Sequence, residues 1–149
     1  KALALNASAP EVNTNMGLLC LAQNKPADAA TYFAKGGQSS QNNEALGNMY
    51  IAQGQYERAL TALRGSNTNG EALAMIMTKD YAGAKRVLAA VKNADGYTAY
   101  LAAVAAARTN DAAAVAQNLK KAVSLDSSLK AKAQKDLEFA KFQDAVKAL

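Results

Sequence analysis

The sequence predicts an all-α protein built from repeated helical hairpins, and three observations carry that prediction. About a quarter of the 149 residues are alanine, while aromatics make up 6% and Trp is absent. Alanine is the best helix former and lets backbones approach closely, whereas strands draw on the β-branched and aromatic residues that are scarce here. Four pairs recur at one offset of 30 positions: Gly17 with Gly47, Asn24 with Gly54, Ala29 with Ala59, and Phe33 with Leu63. Asn24, Gly54 and Asn110 stand where a first helix should end, and each is a residue that adopts left-handed geometry readily and starts a turn.

In chain order, Lys1-Ala-Leu-Ala-Leu-Asn6 matches Lys121-Ala-Val-Ser-Leu-Asp126 in type and spacing. Residues 1–6 therefore read as the tail of a preceding repeat, and the chain as cut from a longer array. Repeat 1 spans 10–40, with Pro26 suited to the first turn of its second helix and Asp28 to that helix's positive end. Repeat 2 spans 41–65. Repeat 3, at 69–92, keeps the second half of the pattern as Asp80-Tyr81-Ala-Gly-Ala84-Lys-Arg-Val-Leu88, behind a short first helix. Its spacing contracts to about 25 residues between Ala59 and Ala84. Repeat 4 spans 95–126. Gly17, Gly47 and Ala103 are small where one helix of a pair crosses the other, and Ala29, Ala59 and Ala84 are small on the opposing helix. Residues 127–149 read as one capping helix, because Leu129, Ala133, Leu137, Ala140 and Val146 recur at helical spacing, with Phe139 and Phe142 on the same stripe. A stack of repeats needs such an element, since its last apolar face has no following repeat to cover it.

Composition excludes most catalytic chemistry. With no His, the usual acid–base group near neutral pH and the commonest metal ligand are both missing. The single thiol, Cys20, sits in the apolar run Met16-Gly-Leu-Leu-Cys-Leu-Ala, without the adjacent base or cation that activates a nucleophile, and reads as core packing. Asn67-Thr-Asn69-Gly70 and Gly36-Gly37 lack the spacing of a phosphate-binding loop and read as connectors. Glu11, Glu44 and Glu71 fall near the starts of successive units, where a negative charge suits the helix dipole. Met75 or Ile76 belongs in the core. The reading is accordingly not an enzyme, with no cofactor, no metal and no small-molecule substrate. No apolar run is long enough to span a membrane.

The net charge of +5 is uneven. Residues 1–78 hold five groups of each sign, and Leu119–Leu149 carries seven Lys against four acids. Those lysines have no Arg among them and no free aromatics for stacking, so they read as a solvated face ahead of a nucleic-acid or anionic-surface site.

The pattern resembles the tetratricopeptide repeat, most specifically in Gly47…Gly54-Gln-Tyr56…Ala59…Leu63 and in Asn110-Asp111…Leu119…Ala122-Val-Ser-Leu125-Asp126. The resemblance covers roughly residues 10–126. It implies a right-handed α-solenoid of stacked antiparallel hairpins whose first helices line a concave groove for a peptide or protein partner. Carried onto matching positions, that face comprises Thr14, Leu18 and Leu21 in the first unit, Gln41, Glu44, Asn48 and Ile51 in the second, and Tyr97, Tyr100 and Arg108 in the fourth. Tyr97 and Tyr100 stand three apart on one helix, and Tyr and Arg are enriched at binding hot spots; the alternative is that one of the two Tyr packs under the neighbouring unit. Of the positions with which some members of the family clamp a carboxylate, only Asn48 agrees here, which disfavours that ligand. The expectation is a non-catalytic interaction scaffold, with a structural spacer or self-association module as the rival. Analogy with bacterial cell-envelope proteins suggests a periplasmic or envelope setting.

Overall fold

A computed structural model describes residues 9–149, so the repeat tail expected at residues 1–6 lies outside the described residues. Ten α-helices and one 3-10 turn are present among them, and no strand. They are α1 (Pro10–Ala22), α2 (Pro26–Lys35), α3 (Ser40–Ala52), α4 (Tyr56–Leu63), α5 (Asn69–Met77), α6 (Tyr81–Ala90), α7 (Gly96–Arg108), α8 (Ala112–Leu125), α9 (Leu129–Lys135), a 3-10 turn (Leu137–Phe139) and α10 (Gln143–Lys147). The chain divides into two compact units, Lys1–Ser66 and Asn67–Leu149. Within each unit neighbouring helices pack in sequence order, the tightest pairs being α1 with α2, α3 with α4, α5 with α6, and α7 with α8.

One turn closes all four hairpins. Asn24, Gly54, Lys79 and Asn110 all have positive φ, between 57° and 69°. Each donates its backbone N–H to the carbonyl three residues back, and the following residue donates to the carbonyl five back. Lys25 reaches Cys20, Gln55 reaches Tyr50, Asp80 reaches Met75 and Asp111 reaches Ala106, at 2.8–2.9 Å. This pair of bonds satisfies carbonyls that a helix end would otherwise leave bare. Lys79 is the member that residue type conceals, because a lysine pays a steric cost in this region that Gly and Asn largely avoid.

Counting from the turn residue puts the four hairpins in one register. Seven residues earlier stand Gly17, Gly47, Ala72 and Ala103; nine residues later stand Phe33, Leu63, Leu88 and Leu119, all four buried. A Cβ on Gly17 would overlap the Phe33 ring, and one on Gly47 would overlap the Leu63 side chain. The small residue is thus what lets the second helix seat its largest apolar group against the first helix's backbone. Ala29, Ala59 and Ala84, five residues after the turn, are fully buried.

In unit 1, a buried polar latch ties α1, α2 and α3 together. The Asn42 amide donates to the carbonyls of Phe33 (2.9 Å) and Gly37 (2.8 Å), and its Oδ1 lies 3.0 Å from the donating Thr14 hydroxyl. A Cβ on Gly36 would collide with both Asn42 and Thr14, so the buried glycine makes room for the latch. In unit 2, Asp80, Asp95 and Asp111 cap α6, α7 and α8 by accepting backbone N–H bonds. The Thr98 N–H bond holds the Asp95 carboxyl below its usual range.

Two local expectations are corrected. Asn67–Gly70 is not wholly a connector: Thr68 caps α5, and Asn69 and Gly70 form its first turn. Residues 127–149 do not form one helix. The chain breaks at Asp136, whose Oδ1 accepts the Glu138 N–H at 3.0 Å while its backbone runs extended, and it continues as the 3-10 turn and α10. Leu129, Ala133, Phe139, Phe142 and Val146 are buried, but Leu137 is 87% exposed and Ala140 is exposed.

Candidate interaction surfaces

The sequence-derived face falls into two groups, one in each unit. In unit 1, α1 packs on α3. Relative to their turns, Thr14 and Glu44 occupy one register position, Leu18 and Asn48 the next, and Leu21 and Ile51 the third. Thr14 is buried, its hydroxyl engaged by Asn42 and by the Pro10 carbonyl. Leu18 is exposed, as are Gln41, Glu44 and Asn48, while Leu21 and Ile51 are half-buried. Leu19, at 49% exposure, extends the apolar part of α1. Gln41, Glu44, Asn48 and Ile51 stand at i, i+3, i+7 and i+10, a single stripe on α3.

In unit 2, the chain's own C-terminal segment covers the group. Tyr100 is 2% exposed; its hydroxyl donates to Asp136 Oδ2 at 2.5 Å, and its ring meets Phe139 edge-on at 5.5 Å. Tyr97 stacks on Tyr100, and the Lys132 ammonium lies about 5 Å from both ring centres, a cation–π placement. Arg108 makes a bidentate pair with Glu138, Nε to Oε2 at 2.6 Å and Nη2 to Oε1 at 2.5 Å. That pair raises the Arg108 pKa further above its usual range, so the guanidinium stays charged. Tyr97, Tyr100 and Arg108 therefore serve as the seat of the C-terminal cap.

Repeat register contained the signal for this. Tyr100 stands ten residues before its turn, as Thr14 does, and Thr14 faces the first helix of the following hairpin through Asn42. After the fourth hairpin, the segment of α9, the 3-10 turn and α10 takes that place.

Burial first, then the bond to Asp136, raises the Tyr100 phenol far above its ordinary value of 10.0. A group whose folded pKa is raised contributes stability that is complete below the unfolded value and lost as pH climbs past it. We expect wild-type thermal stability to fall above pH 10 more steeply than that of Tyr100→Phe. The variant itself should cost about 1 kcal/mol at neutral pH through the lost hydrogen bond. Parallel pH profiles for the two proteins would contradict the assignment.

A surface that residue patterning did not reveal lies between α6, α7 and α8. It is a groove of about 590 Å³ with a floor of Ala99, Ala102, Ala106 and Ala114 and with Lys85 and Lys121 on its walls. At the matching register the first two hairpins carry Met16, Cys20 and Tyr32, and Leu46 and Tyr50, which line cavities of about 480 and 460 Å³. Among the described residues, no group of three or more Cys, Asp or Glu is placed to hold a metal ion, and no helix is long and apolar enough to cross a membrane. Compared with known proteins, the chain matches no family model, no curated protein and no solved structure.

Proposed function

We propose that this chain is a non-catalytic interaction module that holds a peptide or protein partner on the first-helix face of its hairpins, in a right-handed solenoid of the tetratricopeptide kind. The observation that carries the reading is the face of unit 1, where exposed Leu18 and half-buried Leu21 and Ile51 stand at repeat-equivalent positions with exposed Asn48. Gln41 and Glu44 extend the same stripe of α3. Apolar contact area with a polar rim is the composition of non-obligate protein interfaces. The single turn geometry and single register of the four hairpins support a repeat architecture, which presents such positions side by side. The cap over Tyr97, Tyr100 and Arg108 shifts the weight of the proposal from unit 2 to unit 1.

The test is site-specific photo-cross-linking in an extract of the native source. A cross-linker at position 48 or 18 should trap a discrete partner, while one at exposed Gln117 on α8 should not. Equal labelling from all three positions, or from position 117 alone, would refute the reading. Cross-links only between copies of the chain would favour self-association in its place.

A further inference from the structure

The segment Lys135-Asp-Leu-Glu-Phe-Ala-Lys141 is charge-balanced as sequence, with two lysines and two acids. The fold sorts its side chains. Asp136 is turned onto the Tyr100 hydroxyl, Glu138 onto the Arg108 guanidinium, and Phe139 is fully buried. Leu137, between the two anchored acids, is 87% exposed, and Lys135, Ala140 and Lys141 are exposed as well. A charge-balanced heptapeptide thus displays outward a leucine flanked by two ammonium groups. Turning Leu137 inward would require breaking the contacts to Tyr100 and Arg108 on either side of it. Among the described residues no acid forms an ion pair with Lys135 or Lys141, nor with the neighbouring Lys130 and Lys147.

We propose that this turn is a docking knob for an anionic lipid surface, with Leu137 entering the apolar layer and Lys135 and Lys141 meeting headgroup phosphates. The proposal is independent of the partner face on unit 1. Charge complementarity selects an anionic surface, and the leucine tip selects one with an accessible hydrocarbon layer. Peripheral membrane binding combines those two contributions, buried apolar area and attraction of basic residues to acidic lipids. Single-stranded nucleic acid fits less well, because it is held on aromatic stacking platforms, and Phe139 of the segment and Phe142 just after it are both buried. One leucine with a few lysines supports weak, reversible association.

The experiment is co-sedimentation of the full chain with vesicles of phosphatidylcholine alone and of phosphatidylcholine with phosphatidylglycerol. Retention is expected only on the anionic vesicles and should weaken steeply between low and high salt. Leu137→Asp should lower the apparent affinity at least roughly fivefold, given the transfer value of a leucine side chain. Lys135→Glu/Lys141→Glu should remove binding, while Lys25→Glu in unit 1 should leave it intact. All three positions of the knob are exposed, and unchanged far-ultraviolet dichroism of the variants checks that folding is retained. No retention on anionic vesicles at low salt would overturn the proposal. Retention indifferent to Leu137→Asp would overturn it too, by reducing the effect to a diffuse lysine field. Tighter binding to a single-stranded oligonucleotide than to anionic vesicles, insensitive to Leu137→Asp, would assign the surface to nucleic acid and overturn it equally.

Discussion

Replacing Gly17 by valine is expected to destabilise the protein by about 3 kcal/mol, because the added side chain must enter space held by the Phe33 ring. Phe33→Ala alone should cost about 3–5 kcal/mol, the usual range for truncating a buried phenylalanine. The informative quantity is their combination. With the ring gone, the valine enters the space it vacated, so the double variant should fall short of the summed losses by at least about 1 kcal/mol. Urea unfolding followed by helical ellipticity measures all three. Strict additivity would mean that Gly17 is small for some reason other than the approach of Phe33. Gly47 and Leu63 form the matching pair in the second hairpin and should behave alike.

The second large effect is expected at Asn42. Asn42→Ala removes both donors to the Phe33 and Gly37 carbonyls and the acceptor for Thr14, at a side chain that is itself buried. At a net value of about 1 kcal/mol for each of the three hydrogen bonds, a loss of about 3 kcal/mol is the expected result. Asn42→Asp should be worse at neutral pH than Asn42→Ala, since it keeps the shape but directs a buried negative charge at two carbonyl oxygens. Its excess penalty should shrink on acidification, as a protonated carboxyl can donate to one of them. If the two variants melted together across pH, the latch would not be buried in the way its geometry requires.

Much of the fold was legible because helix crossing leaves marks in residue size. Gly17 and Gly47 are small for a steric reason that the 30-residue offset exposes without any structure. The turn at Lys79 was not legible, because there the register of α5 and α6 overrides the preference of the residue itself. Periodicity also misled at the C-terminus: Leu137 keeps the spacing of Leu129 and Ala133, but helical spacing carries no information about two tertiary anchors. Asp136 is drawn to Tyr100 and Glu138 to Arg108, and together they break the helix and expel the leucine. Of the positions assigned to the binding face, Leu18, Gln41, Glu44 and Asn48 are exposed, whereas Thr14 and Tyr100 are buried. Both lie where one hairpin meets the element that follows it, a relation that family-derived positions do not encode where that element is irregular.

The shared turn also gives the chain something like a reading frame. Two backbone bonds close each hairpin whether Asn, Gly or Lys stands in the left-handed position, so the joint is defined by its place in the count more than by its residue. Removing residues 25–54 would join Asn24 to Gln55 and still set Gly17 opposite Leu63, whereas a cut one residue longer or shorter would rotate the second helix by about 100°. Length change in such a chain is therefore quantised. Whole hairpins can be spliced in or out at these joints, and the interval between Gly54 and Lys79, shorter than its neighbours, takes up the difference at the far ends of its helices, α4 having 8 residues and α5 having 9.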